Sequence, residues 1–141
     1  FKMPGSKVTV EATFRAVEEI PEKPQVVNPF VDVNEDDYGI VAIAYCASHG
    51  IVNGYEDTTF QPNKTITRQE AAKMISAAMG VSNISDELYT DDAKIADWAS
   101  DYVYMAKAAG LMKGDTDGSF RPNDQITRAE AATIMMNAYN Q

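Results

Sequence analysis

The sequence predicts a mostly α-helical body of two tandem helix–loop–helix repeats packed together, with short extended segments in the loops. Three observations predict it. The chain repeats itself at an offset of 60 residues. Each copy carries apolar residues at helical spacing on both sides of a Gly/Asp/Pro/Asn loop. Each copy also opens its second helix with Thr-x-x-Glu, a capping box in which hydroxyl and carboxylate satisfy first-turn N–H groups. Under the offset, Gly50-Ile51-Val52-Asn53-Gly54 falls on Gly110-Leu111-Met112-Lys113-Gly114, and Asp57, Phe60, Pro62 and Asn63 fall on Asp117, Phe120, Pro122 and Asn123. Ile66-Thr67-Arg68-Gln69-Glu70-Ala71-Ala72 falls on Ile126-Thr127-Arg128-Ala129-Glu130-Ala131-Ala132, and Tyr38 on Trp98. Val31-Asp32 meets Thr90-Asp91 after a one-residue shift.

In chain order, residues 1–15 alternate Val8, Val10, Ala12 and Phe14 with Thr9, Glu11 and Thr13, the pattern of a half-buried strand. They read as the last strand of a preceding β module, and Phe1 as a cut inside a longer protein. Residues 16–29 hold Pro21, Pro24 and Pro29 among charges, a semi-rigid linker. The first repeat, 30–80, has a helix over Asp36 to Ser48 stopped by Gly50, a glycine suited to a left-handed cap. Its loop runs from Gly54 to Asn63. A second helix follows Thr67 with the stripe Ala71, Ala72, Ile75, Ala78 and Met79. The second repeat, 81–141, has Trp98, Tyr102, Val103, Met105, Ala106 and Ala109 before Gly110. A loop from Gly114 to Asn123 includes the tight-turn pair Asp117-Gly118, and a helix after Thr127 carries Ala131, Ala132, Met135, Ala138 and Tyr139.

Charge removes whole classes of function. A net charge of −9 opposes nucleic acid, whose polyphosphate needs a basic face. No apolar run approaches the ~20 residues of a membrane-spanning helix, so insertion is not expected. Cys46 is the single cysteine, which excludes an internal disulfide and reads as a small buried thiol. One histidine, His49, offers neither a nucleophile pair nor a metal cluster. A calcium loop around Gly118 would place Lys113 in the first ligand position, which opposes it. No enzyme activity, cofactor or metal is expected.

Phe30-Val31-Asp32-Val33, the glycine-flanked Gly50 to Gly54, Phe60-Gln61-Pro62 and Ile66-Thr67-Arg68-Gln69-Glu70 together resemble the surface-layer-homology repeat. The second copy is closer still, because Thr127-Arg128-Ala129-Glu130 spells the family's signature in full. Residues 1–14 also resemble the closing strand of modules found in bacterial surface proteins. The resemblance implies a secreted protein of the cell wall and surface layer, in which grooves between repeats bind secondary cell-wall polysaccharide. The glycan feature it implies is a pyruvate ketal on an N-acetylmannosamine. The family usually has three repeats where two are visible here. Gln69 stands in place of the family's alanine and Tyr38 in place of its tryptophan.

The candidate ligand residues follow, each with a second reading. Arg68 and Arg128 put a cation in the first turn of a helix, against the macrodipole. With first-turn N–H groups left free, such a guanidinium is a receptor for a ligand carboxylate. It could instead pair with Asp32 or Asp91. On the receptor reading, removing both arginines abolishes binding and spares stability. Glu70 and Glu130 are ligand candidates that the capping box also explains. Tyr38 and Trp98 either anchor a core or stack on sugar. Gly54 and Gly114 are turn glycines or points of close sugar approach. Asp32 and Asp91 accept from sugar hydroxyls, cap a helix or pair with arginine. A different class of function remains open: a protein–protein module that completes a three-repeat body with another chain. Two repeats leave part of the alanine- and methionine-rich stripe uncovered. Among its covers, namely the amino-terminal strand and linker folding back through Val26, Val27 and Phe30, a second copy, or a further repeat, self-association is favoured.

Overall fold

The computed structural model describes residues 27–141. The strand expected over 1–15 and nearly all of the linker lie outside those residues. Four α-helices form the body: α1 (Ile40–Ser48), α2 (Arg68–Met79), α3 (Asp97–Ala108) and α4 (Arg128–Tyr139), with a single 3₁₀ turn at Asp92–Lys94 before α3. The helix–loop–helix unit therefore occurs twice, and both second helices stand where the capping boxes put them.

Local chemistry sets most helix ends. Thr67 and Thr127 each accept from the N–H of the glutamate three residues on, and that glutamate accepts from the threonine N–H. Gly50 and Gly110 close α1 and α3 with φ of 69°. There Gly50 N–H donates to Ala47 O and Ile51 N–H to Cys46 O, and the second repeat matches with Gly110 to Lys107 and Leu111 to Ala106. These paired bonds define a left-handed cap that a glycine enters without the penalty of a Cβ. One end differs from expectation: α1 begins at Ile40, not at Asp36, whereas α3 begins at Asp97. Gly39 occupies the position of Ala99, and a glycine in place of alanine costs a helix about 1 kcal/mol. Among the described residues no strand forms. The loops are shaped by turns such as Asp115 N–H to Ser119 O, and the single extended pairing is an antiparallel bridge between Thr67 and Gln125.

The core is unequal between the repeats. The larger cluster combines Ala72 of α2 with Ala99, Val103 and Ala106 of α3, Ile134 of α4, and Tyr89, Leu111 and Phe120 from the connecting segments. α2 packs most closely on α3. Ala72 and Ala99 have no exposed surface, and Ser76 donates to Tyr102 O at 3.0 Å. Small side chains at the crossing let the two backbones approach. The smaller cluster joins Phe30, Val33 and Ile40, with Ile43, Ala47 and Phe60 against it. Phe30 is thus used inside its own repeat and does not cover the second helices, while Val27 is exposed.

Candidate functional site

The loops between helices are built alike in both repeats. Asp32 accepts from the N–H groups of Phe60 and Gln61 at 2.7 and 2.8 Å. Asp91 accepts from Phe120 and Arg121 at 2.8 Å each. Gln61 and Arg121 both take φ of 57° immediately before a proline. A left-handed non-glycine residue costs roughly 1–2 kcal/mol, and the paired charge-assisted bonds to the aspartate offset it. The Phe60 N–H, ahead of the opposing effect of desolvation, helps hold the Asp32 carboxyl below its ordinary range. Both aspartates are therefore occupied as loop anchors. Neither pairs with Arg68 or Arg128.

Gly54 and Gly114 lie beneath aromatic rings. A Cβ on Gly54 would overlap the Phe30 ring and stand 2.6 Å from Thr59 O. On Gly114 it would stand 2.6 Å from the Tyr89 ring and 2.7 Å from Ser119 O. The same ring pairs sit over both loops, with Phe30–Phe60 centroids 5.0 Å apart and Tyr89–Phe120 centroids 5.1 Å apart. Packing alone requires glycine here.

Arg68 reaches across the repeat boundary. Its side chain is buried, its Nε donates to Phe120 O at 2.6 Å, and its Nη1 meets Glu130 Oε2 at 3.1 Å over the Phe120 ring. The first-turn N–H groups of α2, expected to be free, are also taken. Arg68 N–H donates to Asp124 O at 2.9 Å and Gln69 N–H to Pro122 O at 3.1 Å. The guanidinium does hold a carboxylate, but it is one supplied by the chain itself. Gln69 tightens the same seam: its Oε1 accepts from Ala96 N–H at 3.0 Å and its Nε2 donates to Asn123 at 3.1 Å.

The matching positions on α4 are open. Arg68, Gln69 and Ala72 are 5%, 7% and 0% exposed, whereas Arg128, Ala129 and Ala132 all face solvent. Among the described residues, the N–H groups of Arg128 and Ala129 have no acceptor.

Two grooves occupy corresponding places. The first, of about 560 Å³, lies between the loop of the first repeat and α2, lined by Gly54, Tyr55, Lys64, Glu70 and Lys73, with Trp98 reaching in from the second repeat. The second, of about 450 Å³, is lined by Gly114, Asp115, Glu130 and Ile134, with Arg68 reaching in from the first. Lys73 Nζ stands 5.8 Å from the Trp98 ring centre and Lys64 Nζ 4.5 Å from that of Tyr55. Beside the second groove, Arg121 binds Asp124 together with the lining residues Asp115 and Glu130. Desolvation pushes the Glu130 carboxyl up, but the Thr127 N–H, Arg121 and Arg68 outweigh it and the net shift is downward. Of the residues read from sequence, the structure thus brings Gly54, Glu70 and Trp98 together in one groove, and Gly114, Glu130 and Arg68 in the other. Tyr38 and Arg128 stand apart and exposed.

Sequence reasoning missed Gln69 as a clasp, Arg121 as the centre of an ion-pair network beside the second groove, and Lys64, Lys73 and Tyr55 as groove residues. Their signal lay where the two repeats differ, at Gln61/Arg121, Lys64/Asp124, Lys73/Thr133 and Tyr55/Asp115.

Known proteins are similar to this chain in sequence. The S-layer homology domain profile matches residues 29–72 and again 88–132. An amylopullulanase of Thermoanaerobacterium thermosulfurigenes is 41% identical over 108 residues, covering 74% of this chain but 6% of that protein. An exoglucanase of Acetivibrio thermocellus is 39% identical over 108 residues, covering 74% of this chain and 10% of that protein. An S-layer protein of Bacillus anthracis is 32% identical over 110 residues, covering 78% and 13%. The chain spans a small fraction of the length of these relatives, so the similarity does not reach the bulk of the proteins named as enzymes. With two profile matches in tandem and the shared loop anchors, capping boxes and glycines behind them, the chain belongs to the S-layer homology domain family.

Proposed function

We propose that this chain holds the protein carrying it at the bacterial cell surface by non-covalent binding of an acidic, pyruvate-bearing secondary cell-wall polysaccharide. Family membership supports surface anchoring, and relatives named as S-layer and cell-surface proteins support a secreted location in the cell wall. The observation that carries the glycan reading is the first groove, where two lysines stand beside half-exposed Trp98 and Tyr55. Rings accept the apolar faces of sugars, and ammonium groups attract a ketal carboxylate. Arg68 then acts as a prop between the repeats, Asp32 and Asp91 shape the loops, and Gly54 and Gly114 let those loops pack. Co-sedimentation with purified wall polysaccharide tests the reading. Material carrying pyruvate should pull the chain down, material stripped of pyruvate by mild acid much less, and no sedimentation with either would refute it.

A second reading rests on α4. The face that α2 buries under the loop of the next repeat is solvent-exposed on α4, with Met135 and Met136 more than half exposed beside it. The piece that fits is the same loop from another repeat, so assembly with another chain competes as a role for Arg128. A chain that remains strictly monomeric at high concentration opposes this.

A further inference from the structure

The two grooves share a backbone design but differ in charge chemistry. This inference rests on the glycan reading and asks which groove serves it. At corresponding positions the first groove has Tyr55, Gln61, Lys64 and Lys73, where the second repeat has Asp115, Arg121, Asp124 and Thr133.

Arg121, outside the lining of the second groove, holds two of its lining carboxylates, Asp115 and Glu130. Its guanidinium bonds Asp115 through Nε and through Nη2 at 3.3 Å, Asp124 through Nη1 at 3.1 Å, and Glu130 through Nη2 at 3.2 Å. Arg68 holds the other oxygen of Glu130 at 3.1 Å. Three carboxylates and two guanidiniums saturate one another, with one negative charge in excess. An anion drawn to either guanidinium would have to break one of these pairs and then face the released carboxylate. Exposed Lys113 is the one cation on that lining outside the network.

In the first groove the two lining cations, Lys64 and Lys73, stand outside any ion pair among the described residues. Lys64 Nζ donates to Tyr55 Oη at 3.0 Å. The Asn53 amide, turned so that its oxygen faces Lys73, accepts from Lys73 Nζ at 2.9 Å. An ammonium has three N–H donors, so both lysines keep donors in hand. Neither has a carboxylate within ion-pair distance among the described residues. Glu70 also lines the groove, but Thr67 N–H and Thr67 Oγ1 hold its Oε2 at 2.7 and 3.1 Å, and Tyr55 donates to its Oε1 at 3.4 Å. Glu56 also lines the groove and is exposed, with no ion pair to either lysine.

We propose that the carboxylate-bearing glycan binds the first groove and not the second: Lys64 and Lys73 take the carboxylate beside the Trp98 and Tyr55 rings, while in the second groove Arg68, Asp115 and Glu130 are already taken up in ion pairs. The motif arginine Arg68 takes no part in ligand contact.

Trp98 is the single tryptophan of the chain and lies in the first groove, so its fluorescence reports occupancy there directly. The whole chain is titrated with purified pyruvylated wall polysaccharide, with sedimentation and Trp98 emission read on the same samples. Trp98 emission should change with the same midpoint as sedimentation. Lys64→Gln/Lys73→Gln should weaken binding at least tenfold, and Lys64→Arg/Lys73→Arg should retain most of it. Lys94→Gln/Lys113→Gln removes the same charge elsewhere and should bind as the parent chain does. If the parent sediments with no change in Trp98 emission, or if Lys64→Gln/Lys73→Gln binds undiminished, the groove assignment falls while the glycan reading stands. If the parent does not sediment, the glycan reading falls and takes the assignment with it.

Discussion

At the scale of single residues, one motif position does two different things in one chain. Arg68 and Arg128 follow identical caps, yet Arg68 is buried against Phe120 O and Glu130 while Arg128 meets solvent. Removing one partner of a buried ion pair strands the other, so Arg68→Ala should lower stability by about 2–4 kcal/mol. Arg128→Ala should stay within about 0.5 kcal/mol, as exposed substitutions do. Arg68→Lys should recover less than half of the loss, because an ammonium cannot serve both acceptors with a planar fork. Urea denaturation of the three variants checks this, and equal losses at the two arginines would contradict it. Gln69→Ala should cost about 1–2 kcal/mol, since it orphans Ala96 N–H and Asn123 at the seam. The arginine pair was legible in the sequence as a pair, but its divergence was not. Burial of Arg68 depends on Phe120 and Glu130, which lie in the other repeat, and nothing local to Thr67-Arg68 encodes them. Gln69 was visible as a departure from the family pattern, and its use became readable only once Ala96 and Asn123 stood beside it.

Elements were more legible than partners, because their signals are local. Thr67 and Thr127 start helices by bonds to residues three positions on, and Gly50 and Gly110 stop them by bonds a few positions back. The misplaced start of α1 was also local: Gly39 weakens a turn that Ala99 supports. The loops gave less away. Their left-handed Gln61 and Arg121 are held by aspartates 29 and 30 residues earlier. That dependence makes the loops sensitive to acid. The Asp32 carboxyl is held below its ordinary value by the N–H of Phe60, and Asp115 is lowered by Arg121. A carboxyl lowered in the folded state stabilises it fully above the unfolded value near 4, and that contribution fades as pH falls through the folded value. Amide exchange at Phe60 and Gln61, corrected for intrinsic rates, should therefore be flat from pH 7 to about 5 and rise in opening frequency below about 4. Asp32→Asn should show the opened state already at pH 7, and protection unchanged by that substitution would remove Asp32 as the anchor.

For the whole molecule, the offset between repeats predicts what is unfinished. α2 is clasped by the loop of the next repeat through Asp124 O, Pro122 O and the Phe120 carbonyl. α4 presents the same first-turn donors and the same small residues with nothing seated on them among the described residues. In a second copy, the loop Phe60-Gln61-Pro62-Asn63-Lys64 corresponds to the piece that clasps α2. Docked on α4, it would bring Arg128 toward the copy's Glu70, as Arg68 meets Glu130. This contact joins two different surfaces, so it does not close as a twofold dimer does. The apparent mass in static light scattering should then climb with concentration without levelling at twice the chain mass. Ala132→Glu places a carboxylate at the counterpart of fully buried Ala72, and it should hold the chain monomeric at every concentration without loss of helicity. Ala72→Glu, at the occupied seam, should instead unfold the repeat boundary. A monomer across the whole series would mean that α4 tolerates its exposed face, and the assembly reading would lose its support. Mass that rises equally in Ala132→Glu would move the contact to another surface.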